Sequence, residues 1–116
     1  ISITLNGRAG IGDGIDILGD SSHVLSTLIT TTNGNITLNG GNVSQGYGVH
    51  LTSPNLSITT TNGGSISITA NLTSADTGGD FAIEYISGSG DVPIVSAKNA
   101  SLTIIARSVG SNSLWG

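Results

Sequence analysis

Ile3-Thr4-Leu5-Asn6-Gly7 returns almost unchanged as Ile36-Thr37-Leu38-Asn39-Gly40, and these two phrases set the frame for the rest of the chain. Looser copies follow as Ile66-Ser67-Ile68-Thr69-Ala70 and Leu102-Thr103-Ile104-Ile105-Ala106, a period of roughly 30 to 36 residues. A second phrase, Ile29-Thr30-Thr31-Thr32-Asn33-Gly34, comes back as Ile58-Thr59-Thr60-Thr61-Asn62-Gly63. Between the two lies a third: Gly14-Ile15-Asp16-Ile17 answers to Gly48-Val49-His50-Leu51, and Ala82-Ile83-Glu84-Tyr85-Ile86 holds the same place later. Each phrase alternates apolar and polar residues, the two-residue period of a strand. Three short strands per repeat, separated by turns, is the pattern.

Asn-Gly at Asn6, Asn33, Asn39 and Asn62 is read as turn chemistry, because both residues tolerate positive φ. The same dipeptide is a hairpin signal, so an antiparallel arrangement has to be weighed. It does not explain why matching segments return at every third strand. A coil does, because each strand then pairs in parallel with its counterpart one repeat later, about 4.8 Å away. The expected fold is all-β: a right-handed parallel β-helix, or β-solenoid, of about three short strands per coil and roughly four coils. Ile3, Leu5, Ile36, Leu38, Ile66 and Ile68 should then stack inward, with Thr4, Thr37, Ser67 and Thr69 toward water. Residues 1–116 read as one solenoid segment of a longer repeat protein, with 107–116 as an atypical tail carrying the lone Trp115.

Composition agrees. Charged residues are 9% of the chain against an ordinary level of about 25%, aromatics are 3%, and methionine is absent, so the core must be a thin aliphatic one. The net charge of −4, with Arg8, Lys98 and Arg107 as the fixed cations, offers no basic patch for phosphates and argues against nucleic acid. No apolar run approaches the ~20 residues of a membrane-spanning helix, so membrane insertion of this segment is not expected. With no cysteine there are no disulfides or thiolate metal sites, which suits an exported bacterial protein.

Phrases such as Gly34-Asn35-Ile36-Thr37-Leu38-Asn39-Gly40 and Asn62-Gly63-Gly64-Ser65-Ile66-Ser67-Ile68-Thr69 resemble the passenger repeats of filamentous haemagglutinin-like, high-molecular-weight adhesins exported by two-partner secretion, and those of many autotransporters. The resemblance covers most of residues 1–106. It implies a fibre outside the cell, on the bacterial surface or secreted, that contacts a host or bacterial receptor or glycan. The secretion domain of that family is not visible in this stretch. Uncapped strand edges imply that neighbouring coils of the parent chain, or other subunits, stack on both ends.

Few residues invite a chemical role. Asn-X-Ser/Thr sequons stand at Asn35, Asn42, Asn55, Asn71 and Asn99, and some adhesins of that kind are glycosylated at such positions; chance supplies sequons in a chain this rich in Asn, Ser and Thr. Gly12-Asp13-Gly14-Ile15-Asp16-Ile17-Leu18 fits most of a calcium-binding nonapeptide, but Leu25 stands where the next aspartate should fall, so a Gly-rich turn with solvated Asp is preferred. Asp76 and Asp80 are read in the same way. Stacked Thr30 to Thr32 and Thr59 to Thr61 would form a flat Thr face, too short an array for ice binding. His23 and His50 lack a relay partner at a telling spacing and are placed on the surface; Asp13, Asp16 and Asp20 are read as locally solvated, and Tyr47, Phe81 and Tyr85 as scattered packing residues. The expectation is therefore no active site, no metal and no cofactor, and a mechanical and adhesive role. Its rivals are a carbohydrate-active β-helix enzyme and the stalk of a contact-dependent toxin-delivery protein.

Overall fold

Each phrase of the repeat becomes a strand. The computed structural model describes residues 1–8, 12–17, 27–43, 46–52, 56–73, 82–85 and 94–108, with the backbone alone at Asn42, Val43, Glu84, Tyr85 and Ser108. The Ile-Thr-Leu phrase gives β1 (Ile3–Arg8), β4 (Ile36–Val43), β7 (Ile66–Leu72) and β10 (Leu102–Ser108). The Gly-Ile-Asp-Ile phrase gives β2 (Ile15–Ile17), β5 (Val49–Leu51) and β8 (Ile83–Tyr85). The Thr-rich phrase gives β3 (Thr27–Thr31) and β6 (Leu56–Thr60), followed by a copy the repeat did not announce, β9 (Ile94–Ala97). No helix occurs among the described residues, and so none long and apolar enough to cross a membrane.

The ten described strands visit three parallel sheets in fixed rotation, with orders β1-β4-β7-β10, β2-β5-β8 and β3-β6-β9. Every pairing is parallel, which rules out the hairpin arrangement for these strands. Register follows the sequence repeat residue for residue: Ile3 pairs with Ile36, Ile36 with Ile66, and Ile66 with Leu102. Ile29 likewise pairs with Ile58, and Ile15 with Val49 and then Ile83. One irregularity interrupts this: β4 carries an extra residue between Gly40 and Val43, a bulge opposite β7. β10 runs to Ser108, two residues past Ala106, and 109–116 lie outside the described residues.

The alternation sorts as expected. Ile36, Leu38, Ile66 and Ile68 are buried in the core with Val49, Leu51, Leu56, Ile58 and Leu72, while Thr37, Ser67 and Thr69 face outward, half-covered by their neighbours along the stack. The end strands carry the same inward pattern, with no further strand over them among the described residues: Leu5 is 39% exposed and Ile104 40%, against 0% for Leu38 in the same row. Backbone pairing continues around the corners, where the N–H groups of Ile3, Ile36 and Ile66 donate to the carbonyls of Asn35, Ser65 and Ser101. These three corner donors are thereby paired.

Two turn assignments change. Asn6-Gly7 and Asn39-Gly40 do not end strands; they lie inside β1 and β4, and Asn39 Nδ2 donates to Asn6 Oδ1 at 2.7 Å as an amide ladder. Gly40 is there because of close approach: an added Cβ would stand 1.8 Å from the carbonyl oxygen of Gly48, where the chain turns into β5. The flat Thr face is also narrower than expected. Thr30 and Thr59 stack outward with hydroxyls 3.2 Å apart, but Thr60 is buried and donates to the Gly64 carbonyl, and Thr31 turns the same way to bond Gly34. A threonine that can satisfy a corner carbonyl is drawn inside, since leaving that acceptor bare in the core costs about 1–3 kcal/mol.

Candidate functional site

The rotation of strands brings one group of titratable side chains together. Asp13 stands in the turn before β2, Asp16 at its centre, and His50 at the centre of β5 directly opposite Asp16 in the register. His50 Nδ1 lies 3.2 Å from Asp13 Oδ2 and 3.1 Å from Asp16 Oδ1. The other oxygen of Asp13 accepts the Tyr47 backbone N–H at 2.9 Å, and the Tyr47 and His50 rings sit 4.3 Å apart, tilted by 31°. The His50 side chain retains 14% of its exposure, so its placement as a free surface residue is corrected. Asp13, at 20%, is likewise no solvated turn residue, and Tyr47 is part of this cluster.

Two forces act in opposition on Asp16. Loss of water around its carboxylate raises its pKa, as does the neighbouring Asp13 charge, while attraction and a hydrogen bond from His50 lower it; the balance is upward from 3.8. A carboxyl whose folded pKa lies above its unfolded value adds stability that is fully present below pH 3.8 and is lost as pH rises through the folded value. In chelator-treated protein, the stability of wild type relative to Asp16→Asn should therefore fall as pH climbs through the carboxylate range, read from denaturation midpoints at each pH. Solvent screening at a side chain 35% exposed keeps this slope shallow.

The sequons are dispersed. Asn35 is exposed at a corner, where its Oδ1 accepts the Ser65 N–H at 3.0 Å; Asn71 sits within β7 and Asn99 is exposed in a turn at φ 57°. Asn42 lies in β4, and Asn55 falls outside the described residues, as do His23, Asp20, Asp76, Asp80, Phe81 and Trp115.

The repeat carries a signal for half of the Asp13–Asp16–His50 cluster. Aligning Gly14-Ile15-Asp16-Ile17 with Gly48-Val49-His50-Leu51 already sets Asp16 beside His50. No family model matches the chain, and no match was found among the curated proteins or among the solved structures.

Proposed function

We propose that this chain is a segment of a right-handed parallel β-helix that serves as a structural and adhesive stalk outside a bacterial cell. The observation that carries the reading is the rotation of the ten described strands through three in-register parallel sheets, the order that a coil of three strands would give. In such a stack each layer is tied to the next by the same parallel backbone hydrogen bonds and aliphatic rows, so one bonding pattern recurs along the fibre. The half-bare inward rows at Leu5 and at Leu102 and Ile104 suit further coils of a parent chain, or other subunits, stacked on either end. The adhesin resemblance of the repeat phrases supplies the extracellular setting, a receptor or glycan on a host or bacterial surface as the partner, and the sequons as sites for sugar.

Asp13 and Asp16 come from one turn and strand, whereas a polysaccharide-cleaving β-helix would draw its carboxylates from different coils across a groove. Beads coated with the chain should adhere to epithelial cells or to bacteria above the level of albumin-coated beads, and soluble chain should compete. The same preparation should release no reducing ends from a panel of polysaccharides. Adhesion no better than albumin, together with sugar release abolished by Asp13→Asn, would replace the stalk with an enzyme.

A further inference from the structure

We propose that Asp13, Asp16 and His50 form a binding site for a divalent transition cation of the zinc class, held between two successive strands of one sheet. Asp13 and Asp16 come from one turn and strand and His50 from the next repeat, and the three donor atoms lie within 4.8 Å of one another. Ligands bound to one ion at about 2.0–2.2 Å sit roughly 3 to 3.6 Å apart when adjacent, from octahedral to tetrahedral coordination. The separations of His50 Nδ1 from Asp16 Oδ1, 3.1 Å, and from Asp13 Oδ2, 3.2 Å, have that length.

Hydrogen bonding alone uses this arrangement poorly. Two carboxylate oxygens converge on one ring nitrogen, which carries at most one proton to share between them. A dication between the three meets both carboxylates and the nitrogen lone pair together, and offsets the repulsion between the two anions.

The ligands are also held in place. The Tyr47 N–H fixes one oxygen of Asp13 and leaves the other toward His50, and the Tyr47 ring packs against the imidazole. Gly46, at φ 101°, makes room for that carboxylate, because a Cβ there would stand 2.8 Å from Asp13 Oδ1. Such supporting contacts orient ligands and are typical of metal centres.

The donor set selects the ion. An imidazole nitrogen with two carboxylates suits zinc and its neighbours, whereas calcium takes six to eight oxygens. The site is thus unlike the calcium nonapeptide that Gly12 to Leu18 suggests, since its third ligand comes from the next repeat and is a histidine.

Zinc chloride titrated into the chelator-treated chain at pH 7, followed by calorimetry and by NMR of the imidazole resonances, tests this directly. Saturable binding of one ion is expected, with the His50 ring signals shifting. Asp13→Asn and His50→Gln should each weaken binding by about tenfold or more while keeping the wild-type circular dichroism spectrum. Calcium chloride at the same concentration should not compete. Shifts confined to His23, no saturable heat, or unchanged affinity in a folded His50→Gln variant would overturn the site. If a variant fails to fold, the His50 signals of the wild-type chain decide alone.

Discussion

Gly40→Val is expected to cost about 3 kcal/mol or more, at or beyond the upper end of ordinary overpacking, and to lower the thermal midpoint by 10 °C or more, on the order of the usual shift for a domain this size. The new Cβ would fall 1.8 Å from the carbonyl oxygen of Gly48, 2.5 Å from its carbon and 2.8 Å from Val49 Cγ2. Two of those atoms are backbone in the central layer of the stack, with pairing on both sides, so no flexible end can swing away. Gly41→Ala is the control. One position along, the nearest atom to an added Cβ is Asn71 Nδ2 at 4.0 Å, and its effect should stay within about 0.5 kcal/mol. Urea or thermal melts of the two variants beside wild type measure the contrast, and equal midpoints would show that the β4 to β5 corner is looser than described.

The second large effect belongs to the middle of the aliphatic row. Ile66 is fully buried between Ile36 and Leu102, so Ile66→Ala removes contacts on both faces and leaves a cavity that the flanking strands cannot close. A loss of about 2–5 kcal/mol is expected. Leu102→Ala, in the same row but 44% exposed, should lose less than half as much. Chemical denaturation gives both values; equal losses would mean that the row does not end at β10 in the way its exposure indicates.

Where the chain repeats itself in sequence, the fold was readable. A parallel stack places like on like, so Ile3, Ile36 and Ile66 announce their pairing through identical surroundings, and alternation tells which side faces in. One strand escaped because it lacks a close copy. Ile94-Val95-Ser96-Ala97 forms β9 without the Thr-Thr-Asn-Gly ending of its two predecessors, because only the period-two alternation, with Val95 beneath Ile58, is needed for the pairing. Asn39-Gly40 misled because glycine serves two ends: it permits turns, and it permits one backbone to pass close to another. Thr60 misled because a hydroxyl is welcome in water or on a corner carbonyl, and spacing does not distinguish the two. The site was half legible. Asp16 and His50 share a repeat position, but Asp13 reaches them through a turn whose geometry, with Gly12 at φ 99° and Gly46 at φ 101°, is not written in the alternation.

Methyl–methyl cross-peaks in a nuclear Overhauser spectrum of the Ile, Leu and Val-labelled chain test the in-register stack most directly. Ile36 should show contacts to both Ile3 and Ile66, and Ile66 to Leu102, at the one-layer separation of about 4.8 Å between paired strands. Contacts of Ile36 to Ile29 across a hairpin closed at Asn33-Gly34, with none to Ile3 or Ile66, would contradict it.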